Sequence, residues 1–109
     1  MADLLGAFEQ AVLLAIWSLA EDAYGRAILR AAQTGLNRQA AAGAVYATLD
    51  RLEHQGLIVS RVEEGTPVRA GRARRYYNLT AAGIKALNES KAALEQMWSG
   101  AKWPLESKA

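Results

Sequence analysis

The chain has 109 residues, 51% hydrophobic and 22% charged, the balance of one globular domain rather than of a disordered segment. It holds no cysteine and a single histidine, His54, which excludes disulfide staples, thiolate chemistry, and histidine-built metal clusters or triads. A formal charge of +2 hides an uneven layout, −4 over residues 1–25, +5 over 26–75 and +1 over 76–109, with all nine arginines in the middle segment.

The spacing predicts a first helix from about Leu4 to Leu19. Leu5, Phe8, Val12, Ile16 and Leu19 step by three or four, which is one buried stripe. Leu13 and Trp17 form a second apolar row, so this helix needs two neighbours. The longest apolar run, Ala11 to Trp17, is seven residues and cannot span a bilayer. With Asp3 and no basic stretch at the start, no secretory signal is read, so no membrane partner is expected and the expected compartment is the cytoplasm. Glu21-Asp22 suits the positive end of a second helix, about Ala23 to Thr34, which Thr34-Gly35 would end.

A third helix follows the turn Leu36-Asn37-Arg38-Gln39, starts at about Ala40 and runs to about Gln55. Ala42, Val45, Leu49 and Leu52 are its inward positions. At about 100° per residue, Ala40, Gly43, Ala44, Ala47 and Arg51 fall on the opposite face, with Tyr46 on the flank. Few long polar side chains lie on that face, so its backbone can approach another surface closely. His54 reads as a solvated or phosphate-side residue at the helix end. Leu57 to Val62 reads as a strand, Glu63 to Pro67 as a turn, and about Arg72 to Leu79 as a second strand. Thr80 is the expected N-cap of a last helix from Ala81 to about Trp98, whose Ile84, Leu87, Leu94 and Trp98 fit a heptad with Lys91 in one seam position.

Three helices, a hairpin and a helix make a mainly α fold with a two-stranded β-wing: a winged helix-turn-helix over residues 1–80, then a dimerisation helix and tail over 81–109. In this reading the third helix enters the major groove, about 12 Å wide, with Arg38 and Gln39 at its start. Arg69, Arg72, Arg74 and Arg75 lie within seven residues of the hairpin. Strand alternation sets Arg72, Arg74 and Tyr76 on one face, free to meet phosphate, and Arg75, Tyr77 and Leu79 on the other. Packing against another helix, or a solvated arginine-rich loop, would account for the same residues without DNA. No nucleophile–base pair or metal cluster can be assembled, so neither an enzyme nor a cofactor is expected.

Tyr24-Gly25, the run from Gly43 through Tyr46, Asp50 and Arg51 to Glu53, Gly56-Leu57-Ile58, and the run from Gly71 through Arg74, Tyr76 and Thr80 to Gly83 resemble the PadR-type transcriptional regulators. The resemblance covers roughly residues 9 to 97, in family order and spacing. It implies a homodimeric repressor whose last helix makes the dimer and whose winged domain binds a palindromic operator on double-stranded DNA. It also implies the short subfamily with a single C-terminal helix. It departs at Arg38-Gln39-Ala40-Ala41-Ala42, where many relatives carry a Ser-Pro pair. The expected DNA contacts are Arg38, Gln39, Ala40, Gly43, Ala44, Tyr46, Ala47, Arg51, Arg69, Arg72 and Arg74. The expected dimer or ligand face is Leu13, Trp17, Leu87, Leu94 and Trp98, with the partner's first helix packed across the last helix. The tryptophans, Trp103 among them, serve dimer packing or a flat compartment for a planar apolar effector, a use that some PadR-like proteins make of them. The competing reading is a winged-helix protein-interaction module that holds an acidic protein partner.

Overall fold

The structure, a computed structural model, describes residues 4–107; Asp3 and Lys108, counted in the charge layout, lie outside the described residues. The elements are α1 (Ala7–Leu19), a single 3-10 turn (Ala20–Asp22), α2 (Gly25–Leu36), α3 (Ala42–His54), β1 (Ile58–Glu63), a 3-10 turn (Pro67–Arg69), β2 (Arg74–Leu79) and α4 (Ala81–Trp98). This is the expected order of helices around one antiparallel hairpin. β1 and β2 pair in register from Ile58 opposite Leu79 to Glu63 opposite Arg74.

The core is made where α1, α2 and α3 meet the inner end of the hairpin. Val12, Leu13, Ile16, Ile28, Val45, Leu49, Leu52 and Ile58 are its largest fully buried side chains. Leu13, expected on a spare outer row, is thus committed to the core of its own chain. The second row of α1 is instead Leu14 and Trp17, 51% and 64% exposed. α1 carries an acidic N-terminal brace, since the Gly6 amide donates to Glu9 Oε1 at 3.0 Å.

Four helix ends fall later than periodicity predicts: α1 starts at Ala7 rather than Leu4, α2 runs from Gly25 to Leu36 rather than from Ala23 to Thr34, and α3 starts two residues late. α2 continues through Gly35 and closes on Asn37, whose left-handed φ of 53° lets its amide reach the Gln33 and Thr34 carbonyls. Asn tolerates that conformation through its short polar side chain. α3 starts at Ala42 rather than Ala40, because the residue before it, Ala41, is extended (φ −73°, ψ 137°) and forms the N-cap. Ala42 then faces out, and Thr48 takes the expected fourth inward place beside Val45, Leu49 and Leu52.

The root of the hairpin is sewn to the helices. The Tyr77 amide donates to the Ala23 carbonyl at 2.9 Å, and Tyr24 bridges to Tyr76 as a one-residue third strand. Both Tyr76 and Tyr77 are consequently buried, where simple alternation left Tyr76 outside. Thr80 caps α4 as expected: its Oγ1 accepts from the Gly83 amide at 3.0 Å and donates to the Gly56 carbonyl at 2.7 Å. A Cβ on Gly83 would stand 2.1 Å from the Leu57 carbonyl oxygen, so only glycine lets α4 start this close to β1. Further along, the Leu5 amide donates to the buried Ser90 Oγ at 3.1 Å and fixes the α1–α4 crossing. Beyond Ser90 only Ala93 of the described residues is even half-buried, and the molecule is 62 Å long by 30 by 20 Å.

Candidate nucleic-acid interface

The outer face of α3 is built from what it lacks. Gly43, Ala44 and Ala47 are exposed, and a Cβ added at Gly43 would meet nothing within 4 Å. Tyr46 stands at the flank, 44% exposed, with its ring over the first residue of α2. A Cβ at Gly25 would lie 2.5 Å from Tyr46 Cε1, so the Tyr46 ring occupies the space that any side chain there would need.

Beside this face lies a cleft of about 560 Å³ between the start of α2 and the wing, into which Arg26, Arg69, Arg72, Arg74 and Arg75 converge around Tyr24 and Tyr46. The arginines divide by what already holds them. Arg69 Nε donates to the Arg72 carbonyl at 3.2 Å, and its Nη2 donates to the Glu64 carbonyl, so it braces the wing loop. Arg75 Nη1 donates to Ser60 Oγ at 2.9 Å. Arg74 sits over the Tyr24 ring, its guanidinium carbon 4.0 Å from the centroid. Arg72 precedes β2 instead of standing on it and is exposed. At the base of the cleft Tyr77 is held neutral: burial raises its hydroxyl pKa, Arg75 opposes this, and Glu53, Asp50 and Tyr46 add to the rise.

Several expected contacts move away from this surface. Ala40 is half-buried against the core, and its carbonyl accepts from Gln33 Nε2 at 2.9 Å. Arg38 and Gln39 are exposed on the α2–α3 loop rather than on the helix, with Gln39 Oε1 3.5 Å from Gln33 Nε2. The late start of α3 causes all three shifts. Arg51 is exposed but turns toward α1, where its Nη2 pairs with Glu9 Oε2 at 3.5 Å.

A second surface, away from the wing, is apolar. Leu14 and Trp17 of α1 and Ile84, Leu87 and Lys91 of α4 line a hollow of about 530 Å³. Leu87 is half-buried against the chain's own core, whereas Leu94, Met97 and Trp98 are 48%, 65% and 38% exposed. Leu94 also faces Ala31 and Leu36 of α2 across a neighbouring hollow. Trp103 lies in the tail, 77% exposed.

Residues 13–89 match the profile of the transcriptional regulator PadR-like family. The chain belongs to this family. Over 55 residues it is 49% identical to Transcriptional regulator Rv3488 of Mycobacterium tuberculosis, a match covering 50% of this chain and 48% of that protein. The chain thus aligns with about half the length of that curated relative. A PadR family regulator from Eggerthella lenta superposes with a TM-score of 0.67 at 29% identity, over 86% of this chain and 80% of that one. A PadR-like regulator from Bacillus cereus superposes with a TM-score of 0.69 at 24% identity, over 87% of each chain, which speaks to the fold alone.

In this PadR-like chain the sequence reading missed Arg26 and Tyr24 as cleft residues and Arg61 as a wing cation. Arg61 stacks 4.9 Å from the Tyr76 centroid and pairs with Glu63 at 3.1 Å. Nothing periodic marks them. Arg26 reaches the cleft only because α2 begins where Tyr24 joins the hairpin, and Arg61, outside the cleft, meets the Tyr76 ring only because the two residues pair across the hairpin.

Proposed function

We propose that this PadR-like chain is a sequence-specific, duplex-DNA-binding regulator that works in the cytoplasm as a homodimeric repressor released by a small ligand or another signal. The observation that carries the reading is the exposed Gly43–Ala44–Ala47 face beside a cleft lined by five arginines. A helix poor in long side chains can seat its backbone against base edges, while arginines on one flank hold the phosphates that supply most of the affinity. Gly43, Ala44 and Ala47 meet the groove, Tyr46 reaches a phosphate from the flank, and Arg72 and Arg74 contact phosphates from the wing. Arg38 and Gln39 approach the same strand from the loop.

Residues 1–80 form the binding unit, and 81–109 the dimerisation helix and tail. The support for the dimer is the exposed row Leu14, Trp17, Leu94 and Trp98, which would cover itself in an isologous contact. A palindromic operator follows from that symmetry. The hollow at Trp17 offers a flat apolar wall to a planar effector.

Selection of bound duplexes from a random pool, followed by sequencing, tests the reading. An enriched palindrome with salt-sensitive binding is the expected result. No enrichment, together with retention by an acidic protein surface, would favour the protein-interaction module instead.

A further inference from the structure

Glu63 lies directly across the hairpin from Arg74, the natural acceptor for its guanidinium. That pair is not made. Glu63 Oε1 is held by Arg61 at 3.1 Å, and among the described residues no carboxylate or carbonyl accepts a hydrogen bond from the Arg74 guanidinium. Arg74 is instead stacked 4.0 Å above the Tyr24 ring, and Tyr24 in turn meets Tyr76 edge-on at 5.8 Å with the planes 63° apart. Tyr24 is free for this role. It occupies the N-cap of α2 with an extended backbone (φ −107°, ψ 164°), and its side chain does no capping.

We infer that Tyr24 is a positioning residue of the interface: its ring holds the Arg74 guanidinium face-on, so that the edge donors stand ready for one backbone phosphate. The inference rests on the DNA-binding reading above. A guanidinium is planar, and all five of its N–H donors lie in that plane. A ring against its face therefore consumes no donor while it restricts a long side chain before binding. The hairpin supports the ring from behind through the Tyr24–Tyr76 bridge and the buried Tyr76 side chain. An arginine neutralised by Glu63 would have to break that pair on binding; one held by an aromatic ring does not.

The test measures affinity against salt concentration for a mixed-sequence duplex about three helical turns long. It compares the native protein with Y24F, Y24L, R74A, R74K and the double variant Y24L/R74A. R74A should lower the salt slope by roughly 0.9, the share of one phosphate. Y24L should weaken binding by roughly two- to five-fold, the worth of an exposed cation–π contact, and should add nothing in the R74A background. Y24F, which keeps the ring, should restore native behaviour. R74K, which keeps the charge but not the planar fork, should keep most of the native salt slope and yet bind more weakly than the native protein.

Equal losses from Y24L with and without Arg74 would show that Tyr24 acts through the fold and would overturn the inference. So would a Y24F variant as weak as Y24L, which would make the hydroxyl itself the contact. If Y24L fails to fold by thermal melting, R74K decides alone: a native slope with weakened affinity supports the positioning role, and native affinity refutes it. Native protein that binds no duplex removes the DNA reading and the inference together. Native binding with Y24L indistinguishable from it removes only the inference.

Discussion

Ala44→Glu separates binding from stability with opposite signs. Ala44 is exposed in the first turn of α3, where Ala41 provides no side-chain cap and no acidic residue faces the positive helix end. Counting from Ala41 it is the third helical residue, the position from which a glutamate can reach back to an uncapped amide. A carboxylate there should stabilise the free protein by about 0.3–1 kcal/mol through the helix dipole. For a domain of this size that raises the melting temperature by roughly one to several degrees. In the proposed complex the same group would sit where the backbone approaches the groove. At about 6 Å from a phosphate, the repulsion is roughly 0.7 kcal/mol in water and about 3 kcal/mol at an effective dielectric of 20. Two flanking phosphates and the lost close approach together should weaken binding by roughly a hundred-fold or more. Thermal melting and operator titration on one preparation check both halves. A lower melting temperature would mean that this face packs against protein, and unchanged affinity would mean that α3 does not enter the groove.

Three further outcomes are expected. Arg72→Ala should weaken binding to all duplexes alike and lower the salt slope by about 0.9, whereas Arg69→Ala, which frees the Glu64 and Arg72 carbonyls it now braces, should loosen the wing without removing a full phosphate from the slope; titration at several salt concentrations distinguishes them. Leu94→Asp should leave the chain folded, because Leu94 is 48% exposed, yet dissociate the proposed dimer, since burying a leucine is worth about 1.5–3 kcal/mol and the proposed contact would occur twice; sedimentation reads the mass, and an unchanged dimer would place the interface elsewhere. Tyr77→Phe should alter the alkaline limb of stability: the folded pKa lies above the ordinary 10.0, so the stabilisation is complete below that pH and lost as pH rises through the folded value, and chemical denaturation on both sides of pH 10 should show the phenylalanine variant losing less.

The order of elements, the cap at Thr80 and the small-residue face at Gly43, Ala44 and Ala47 are legible along the chain. These are local properties: a period of three to four, a hydroxyl three residues before an amide, and the absence of side chains on one face. The runs around Tyr24-Gly25, Asp50-Arg51 and Arg74 to Gly83 also carried the family likeness, which the match over residues 13–89 upheld. Periodicity cannot rank neighbouring apolar or basic residues; contacts between elements do. Leu13 and Leu14 are adjacent leucines in one helix, and only the packing of α2 and α3 on α1 put the first in the core and the second outside. The loop carrying Arg38, Gln39 and Ala40 stayed out of α3 because Ala40 found a place against the core and Gln33 bonded its carbonyl, contacts made between elements rather than along the chain. The arginines of the wing look alike in the sequence. Whether each braces a loop, pairs with a carboxylate or keeps its donors open depends on partners brought near by the hairpin and the start of α2: Glu64 for Arg69, Glu63 for Arg61, Ser60 for Arg75 and the Tyr24 ring for Arg74.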